Sequence, residues 1–573
     1  MSTPPPAPKS QPAAPDAAAR LRAAAPRLGL CAASATLLWL AFPPVGAWPL
    51  AFVALVPWLW ALRGCELRAA FGYSTFFGTV LSALLFSFLL MVSNYHAAVG
   101  PALPVLFLVL GAHIGLVGML SVWFGRELPP AAAFVLSVAA WVAVEWFRSV
   151  GRLSLPMGML AHPLIEWPAF AQVAGIGGVP LAGGIVFAVN LALMTLAASA
   201  VKKRGLFDAL VLGGATAAVL FGAVLWGGSA RGRAYARLDE RSATVRVALV
   251  QTGVAQKEKF DSYSSPDEAA RTELQNRHLL SLFKQIDSLE RGQVDLVALP
   301  ESVVAAPEFS LSAGLQREFI QRARDLDASI MLGALDLRLL DAEGNETTVP
   351  DDAMDGDGGF RSRFYNAIWL VTPGESEPRR NSDYQKAQLV PFGETIPYLD
   401  MIPGAVEGLV GIGTFDRADA PRLIALPLRR AVDAEGPAAV VLGPSVCFED
   451  MVSWIARHEA RGGAQLLVNA TNDAWYDPFP GDRIHSLAAR WRTVETRLPM
   501  IRATNTGLTE SIDIAGTVLE RLPPRDPAIA RVSVRVPLEP ARTLYARFGD
   551  WFAWLCVLAV LGGAGFLGRR PLE

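Results

Sequence analysis

The apolar residues of this chain are gathered into runs, and the placement of those runs constrains its fold more than any other feature. Leu28–Phe42, Pro49–Leu62, Gly72–Val92, Leu103–Phe124, Ala131–Phe147, Ala174–Ala200 and Leu206–Trp226 precede a polar region from about Arg231 to Arg547, and Trp551–Leu567 closes the chain. A helix of about 20 apolar residues crosses a ~30 Å hydrocarbon core. The pattern therefore predicts seven spans, a large water-exposed domain and an eighth span. The first two runs are short, and a single re-entrant hairpin is the alternative for them. Composition agrees: 52% of residues are hydrophobic and 18% charged, where an ordinary soluble protein carries roughly 25% charged residues. That excludes disorder over most of the chain. A net charge of −2 argues against a nucleic-acid binder, and four cysteines in 573 residues are no disulfide scaffold.

Charge in the short loops orients the spans. With the N-terminus inside, the cytoplasmic segments carry Lys9, Arg20, Arg22 and Arg27, then Arg63 and Arg68, Arg126, Lys202, Lys203 and Arg204, and finally Arg569 and Arg570. The opposite loops hold little beyond Arg148 and Arg152. Positive charge collects on the cytoplasmic side, so both termini are expected there and region 231–547 outside. The expected division is a disordered Pro/Ala-rich tail over 1–26, a seven-span domain over 27–230, the external domain over 231–547, and a last span with a short tail over 548–573. A signal peptide at 20–42 is the alternative reading of the first run, but the runs after it are equally apolar. His113 and Glu145 lie inside apolar runs. Ionisable groups in lipid are functional candidates by default, and helix-to-helix hydrogen bonding is the competing reading.

The external region alternates strand-length apolar runs with helical periodicity. Thr244–Gln251, Val294–Leu299, Ser329–Leu335, Tyr365–Val371, Ala438–Val446 and Ala464–Ala470 read as strands, as do Pro499–Ala503, Leu508–Ile514 and Ile529–Val536. Asp267–Arg291, Leu315–Leu326, Asp450–Arg461 and Ile484–Thr496 read as helices. This order predicts sheets covered by helices, with strands apolar enough to be buried on both faces. The acidic, Gly-rich stretch Asp341–Arg361 reads as an exposed loop; its spacing does not fit an EF-hand calcium loop.

Cys447 is the one cysteine of the external region. It ends an apolar strand just before a helix, where backbone N–H groups favour a thiolate and offer an oxyanion hole. A buried inert cysteine is the bland alternative. None of His278, His458 and His485 sits in a strand-end motif that marks it as the base. Other strand ends carry Glu301, after VDLVALP, and Lys386 with Glu394 in KAQLVPFGE. Taken singly, such groups are usually solvated surface. No zinc-ligand spacing is visible, and no cofactor is expected.

Taken together, LPES at 299–302, KAQLVPFGE at 386–394, VCFED at 446–450, NATNDAWY at 469–476 and MIRATNTGLTESID at 500–513 resemble the nitrilase superfamily. With the eight apolar runs, the chain resembles that superfamily's membrane-embedded branch, the apolipoprotein N-acyltransferases, over all but its N-terminal tail. The resemblance implies a polytopic α-helical membrane domain plus an extracytoplasmic nitrilase-like αββα sandwich. It implies a Glu–Lys–Cys triad in which Glu301 is general base, Lys386 stabilises the tetrahedral intermediate and Cys447 is nucleophile. Glu394 and Glu449 take supporting roles, and the Phe448 N–H completes the oxyanion hole. The family pattern has Tyr at Phe448, Trp near Phe260, His at Gln388 and Phe-Gly at Tyr476-Asp477. These departures leave the triad intact and bear on substrate selection.

The implied reaction moves an sn-1 acyl chain from a phospholipid, phosphatidylethanolamine above all, to a cysteine thioester. The chain then passes to the N-terminal amine of a diacylglyceryl-cysteine lipoprotein. The implied setting is the bacterial inner membrane, with the catalytic domain periplasmic and the protein a monomer. The loops Met401–Ile412, with Leu409, and Trp475–Pro480, with Trp475, Tyr476 and Phe479, are candidates for lining the substrate entry and dipping into the headgroup layer. Competing classes are a membrane-tethered amidase with water as second substrate and a non-enzymatic membrane scaffold. A long-chain acyl group on Cys447 separates the first from the transferase, and the triad's joint presence argues against the second.

Overall fold

The computed structural model describes residues 17–95, 99–304, 308–340, 361–398, 415–428, 437–540 and 542–569. The N-terminal part is helical: α1 (Ala17–Ala41), α2 (Leu67–Leu85), α3 (Val99–Glu127), α4 (Pro130–Phe147), α5 (Ala174–Lys202) and α6 (Leu206–Glu240). Helix α1 starts inside the stretch expected to be a disordered tail, because AAARLRAAA is rich in strong helix formers. Among the described residues, six helices are long and apolar enough to cross a membrane: α1 (over Arg22–Ala41), α3, α4, α5, α6 and the C-terminal helix Trp551–Gly568.

The other two expected spans take different forms. Pro49–Leu62 folds as a 3-10 turn, Trp48–Phe52, followed by the short helix Val56–Ala61. At 1.5 Å per residue, 14 apolar helical residues reach only about 21 Å, short of a ~30 Å core. Pro49 and Pro57 stand in the first turn of each piece, where a missing N–H costs nothing. The run Gly72–Val92 is divided between α2 and the single turn Leu89–Val92.

Helices α2 and α3 cross closely enough to exclude side chains. A Cβ on Gly111 would lie 2.2 Å from Thr79 Oγ1 and 2.5 Å from the Thr75 carbonyl, and one on Gly118 would lie 1.9 Å from Ser74 Oγ. Small residues that admit a neighbouring backbone are a main source of helix association in lipid.

The polar region forms two six-stranded sheets. The strands are β1 (Ser242–Gln251), β2 (Leu296–Ala298), β3 (Ser329–Leu340), β4 (Arg361–Val371), β5 (Tyr384–Gln385), β6 (Ile424–Pro427), β7 (Ala439–Val446), β8 (Leu466–Thr471), β9 (Met500–Thr504), β10 (Glu510–Ile512), β11 (Val518–Arg521) and β12 (Ala528–Pro537). Their orders are β12-β1-β2-β3-β4-β5 and β11-β10-β9-β8-β7-β6. Three adjacent strands of each run parallel, β1-β2-β3 and β7-β8-β9, with antiparallel strands on both flanks. The halves therefore share one topology.

Alternation along the strands builds the layers. Val245, Val247 and Leu249 of β1 face the second sheet's Val440, Leu442, Val468 and Ile501. Ala248 and Val250 face outward onto α7 (Glu268–Asp287) and α8 (Ala313–Leu326) through Leu282, Ile286, Phe319 and Ala323. Helices α9 (Ser453–Gly462) and α10 (Gly481–Thr496) cover the other sheet. The result is a helix–sheet–sheet–helix sandwich.

The α9–α10 face also belongs to the helical bundle. Phe448, Met451, Ile455, Leu487, Trp491 and Val494 share one buried cluster with Ala35, Trp58, Phe77, Leu164 and Phe187. Polar contacts reinforce this junction. Trp491 Nε1 donates to the His162 carbonyl at 3.2 Å, the Val179 N–H to Glu495 Oε1 at 3.1 Å, and Arg490 pairs with Glu166. Val179 is free to donate because α5 is broken at Gly177 and Gly178, the latter at φ +72°. A Cβ on Gly178 would meet the Tyr545 ring at 2.6 Å.

Replacing Gly111 by Leu is expected to separate α2 from α3. Overpacking costs about 1–3 kcal/mol, and the purified variant should melt several degrees below wild type in detergent. An unchanged melting temperature would show that the crossing tolerates a side chain.

Candidate active site

The site forms at the carboxyl ends of parallel strands, where α/β sheets generally place ligands. Strand β7 ends at Val446. Cys447 follows in the left-handed region at φ +51° and starts the 3-10 turn Cys447–Met451. This residue is strained for a side chain with a Cβ, and such backbone concentrates at functional turns. Cys447 is partly exposed, whereas the other cysteines, Cys31, Cys65 and Cys556, are buried.

Glu301 follows β2 of the other sheet through Leu299 and Pro300. Its turn lies against β3 at Gly333, where a Cβ would approach Glu301 Cα to 2.6 Å and the Pro300 carbonyl to 2.7 Å. Lys386 follows β5, and its N–H donates to the Asn366 carbonyl on β4 at 2.8 Å. The side chain of Asn366 donates to Glu301 Oε1 at 2.7 Å and to Glu394 Oε1 at 3.3 Å. Lys386 Nζ donates to Glu394 Oε1 at 2.9 Å, and Glu394 Oε2 accepts from the Val390 N–H at 2.9 Å. One amide thus bridges two carboxylates, the second of which holds the ammonium.

The charges converge on the thiol. Burial pushes the Cys447 thiol well above its ordinary pKa, Glu301 pushes it further, and Lys386 and a hydrogen bond from Thr471 oppose them. Burial raises Glu301 as well, against the pull of Lys386. Burial alone would lower Lys386, but Glu394, Cys447 and Glu301 outweigh it and keep the ammonium protonated. The arrangement presents a neutral thiol, a carboxylate of raised proton affinity and a fixed positive charge.

Glu449 joins the two sheets. Its carboxylate accepts from the Ala387 and Gln388 N–H groups at 2.7 and 2.9 Å, from the Val446 N–H at 2.9 Å and from the Tyr384 hydroxyl at 2.7 Å. Phe448 is buried in the cluster shared with the bundle. Tyr476 stacks edge-on against Phe88 at 4.7 Å, Trp475 against Tyr95 at 5.5 Å, and Phe479 packs on the shared cluster. Phe260 also meets Tyr95, at 5.3 Å. These aromatics therefore sit where the sandwich meets the segment after α2. Gln388 Nε2 reaches the Gly151 carbonyl at 3.4 Å, and Asp477 pairs with Arg525. Leu409 and the loop Met401–Ile412 lie outside the described residues, as does most of the acidic stretch Asp341–Arg361.

Two family models match the chain in succession. The apolipoprotein N-acyltransferase N-terminal domain matches residues 34–192, and the carbon-nitrogen hydrolase matches residues 246–534. The chain belongs to the apolipoprotein N-acyltransferase family. It is 30% identical over 560 residues to the apolipoprotein N-acyltransferase of Azotobacter vinelandii, covering 95% of each chain. It is 27% identical over 541 residues to that of Geobacter metallireducens, covering 94% of each. Among solved structures it aligns with Nit3 of Saccharomyces cerevisiae, of the nitrilase superfamily, at 15% identity, over 52% of this chain and 92% of that one, with a TM-score of 0.32. Membership gives the chain an enzymatic role of acyl-transfer or amidase type.

The two intramembrane candidates have structural partners. Glu145 accepts from the Leu160 N–H at 2.7 Å and Trp141 Nε1 at 3.2 Å, tying α4 to the loop before α5. His113 Nδ1 contacts the Val109 carbonyl one turn earlier, at 2.8 Å.

Several residues of the site escaped sequence reasoning. Asn366 stands alone as a polar residue in YNAIWLV, and that exception was its signal. Lys259, on the short helix Gln256–Ser264, donates to the Glu301 carbonyl at 2.9 Å; burial lowers it to about 8. His485, set aside for want of a strand-end motif, lies fully buried between Asp450 and Asp473, at 2.7 and 2.8 Å. Arg502 closes the network on Asp450 at 2.9 Å. Asp450 is part of the Cys447 turn and Asp473 follows β8, so the network braces the floor of the site.

His485 gives the fold a pH dependence. Burial would lower its pKa, but the two aspartates outweigh burial and raise it to about 9. A histidine raised above its ordinary ~6.5 adds stability that is complete below about pH 6.5 and is lost as pH climbs through about 9. Wild-type protein is expected to lose melting temperature between about pH 6.5 and 9.5, and His485→Gln is expected to flatten that slope. Parallel slopes would show that the imidazole is neutral in the folded state.

Proposed function

We propose that the enzyme transfers a fatty acyl chain from the sn-1 position of a phospholipid, through a thioester on Cys447, to the N-terminal amine of a diacylglyceryl-cysteine lipoprotein. The observation that carries this reading is the convergence of Glu301, Lys386 and Cys447 at strand ends of both sheets, on a turn whose next residue, Phe448, is buried in the core of the helical bundle.

Each residue has a task. Glu301 takes the Cys447 proton, as a thiol of raised pKa requires. The thiolate attacks the ester carbonyl. Lys386 and the Phe448 N–H stabilise the oxyanion. Glu301 returns the proton to the departing lysophospholipid. The lipoprotein amine then attacks the thioester, its surplus proton passes to Glu301, and Cys447 leaves as thiolate and is reprotonated. Glu394 holds Lys386 in place, and Glu449 fixes the backbone on both sides of the site.

The same reading assigns the catalytic domain, about 231–547, to the periplasmic face, with both termini cytoplasmic. The loop charges support this orientation. A site at the membrane surface spares lipid substrates the transfer of acyl chains to water, at ~0.8 kcal/mol per CH₂. Trp475, Tyr476 and Phe479 then stand at the entry, with phosphatidylethanolamine as donor and a monomer as the working unit.

Intact-protein mass spectrometry tests the reaction. Incubation with phosphatidylethanolamine should add one fatty-acyl mass to wild type and none to Cys447→Ala, and a diacylated lipopeptide should discharge it onto its own amine. Discharge by water alone would favour the amidase-type hydrolase, and no increment on folded enzyme would reject the thioester.

The pH profile tests the base. Acyl-enzyme formation should fall as pH drops through the raised pKa of Glu301, above the ordinary glutamate value of about 4.3. Glu301→Gln should slow acylation by about 10²–10⁴-fold and abolish that limb. Persistence of the limb in the variant would assign it to another group.

A further inference from the structure

Helix α6 changes character along its length. Leu206, Phe207, Leu210, Val219, Phe221 and Leu225 are exposed apolar side chains. Beyond Ala230 the helix instead carries Arg231, Arg233 and Arg237 as it runs on toward β1. At this change a cavity of about 300 Å³ opens between α6, the end of α10 and the segment leading into the C-terminal helix.

Five arginines from three parts of the chain line it: Arg233, Arg237, Arg241, Arg497 and Arg542. Two carboxylates, Glu240 and Glu539, share the lining, and Glu539 is engaged with Arg241 at 2.6 Å. Arg497 is only 9% exposed, and its hydrogen bonds go to neutral acceptors, Gln172 Oε1 and the Ile514 carbonyl. Burial lowers its pKa to about 10, although Tyr235 and Asp513 pull it the other way. An anion in the cavity would relieve that desolvated guanidinium.

The lower wall is apolar, formed by Ile176, Trp226 and Leu544. Trp226 and Trp551 are each 38% exposed, and Trp551 Nε1 donates to the Ile176 carbonyl at 2.9 Å. Half-exposed indoles of this kind mark the headgroup level of a bilayer. Arginines near a bilayer surface attract anionic lipids, and arginine forks suit phosphate geometry.

We propose that this cavity binds the phosphodiester headgroup of an anionic phospholipid such as phosphatidylglycerol, whose acyl chains lie along the exposed apolar face of α6. The site shares no residue with the Cys447 site. It is independent of the acyl-transfer reading and requires only that α6 spans the membrane with this end at the catalytic-domain face. The lipid is a bound ligand that fixes the sandwich to the leaflet, and it is not consumed.

Native mass spectrometry of the full chain, equilibrated with equal phosphatidylglycerol and phosphatidylcholine, tests the proposal. Wild type should retain phosphatidylglycerol over phosphatidylcholine by roughly tenfold or more, and a triple variant, R233Q/R237Q/R542Q, should lose that preference. These three side chains are exposed, so the variant is expected to fold, and its melting temperature checks this. Equal preference in both proteins, as for lipid held at the Cys447 site, would overturn the proposal. Displacement of the lipid by millimolar inorganic phosphate would also overturn it, in favour of a simple anion site.

Discussion

Glu449 is the interaction on which the site's geometry depends. Its carboxylate draws donors from Tyr384, Ala387 and Gln388 beside β5 and from Val446 at the end of β7, and so joins the edge of one sheet to the Cys447 turn of the other. Burial raises it to about 7, partly offset by Lys386, and four donors surround it. Each buried N–H left without an acceptor would cost about 1–3 kcal/mol. The loop carrying Lys386 and the turn carrying Cys447 therefore cannot drift apart without exposing several orphan donors at once. A second network beneath, Asp450–His485–Asp473–Arg502, holds the same turn from the floor. Both networks are fully buried, which makes them stiff and intolerant of partial loss.

A comparable constraint operates at the boundary with the bundle. The helices covering the second sheet are amphipathic in the ordinary sense, but what covers their outer side is the membrane domain. Trp491, Leu487 and Phe448 belong to the same cluster as Trp58 and Phe187. Cys447 is thus one residue away from the core of the helical bundle. The break at Gly177 and Gly178 lets the Val179 N–H meet Glu495 from across the boundary. Domain and bundle are joined by packing and by matched polar groups.

Much of this was legible in the sequence because it rests on local pattern. Long apolar runs located the six long membrane helices, and strand-length apolar runs located the central strands of both sheets. Glu301 and Cys447 each end a strand-length run, Lys386 stands in a motif beside a Pro/Gly turn, and only the resemblance across all the motifs joined the three as candidates. What escaped was set by tertiary context. The pieces β5, β6 and β11 are two to four residues long and carry too little pattern to register. The run Pro49–Leu62 has the composition of a span, but prolines and length make it a half-crossing element. His485 looked idle because its partners, Asp450 and Asp473, lie 35 and 12 residues away. Lys259 lies on a helix that composition did not mark, and only the fold brings its ammonium to the Glu301 carbonyl.

The electrostatics of the site follow from its position. A thiol surrounded by water would be partly ionised near its ordinary pKa of about 8.5 and exposed to every electrophile at the surface. Here burial and Glu301 raise the Cys447 thiol, while the ammonium of Lys386 opposes them. In the proposed reaction, that charge in a low-dielectric setting would act most strongly when negative charge appears on the substrate, and so would favour the transition state over the resting thiol. The Cys447 turn, held by Glu449 on one side and by the Asp450–His485 pair on the other, fixes this arrangement of buried charge.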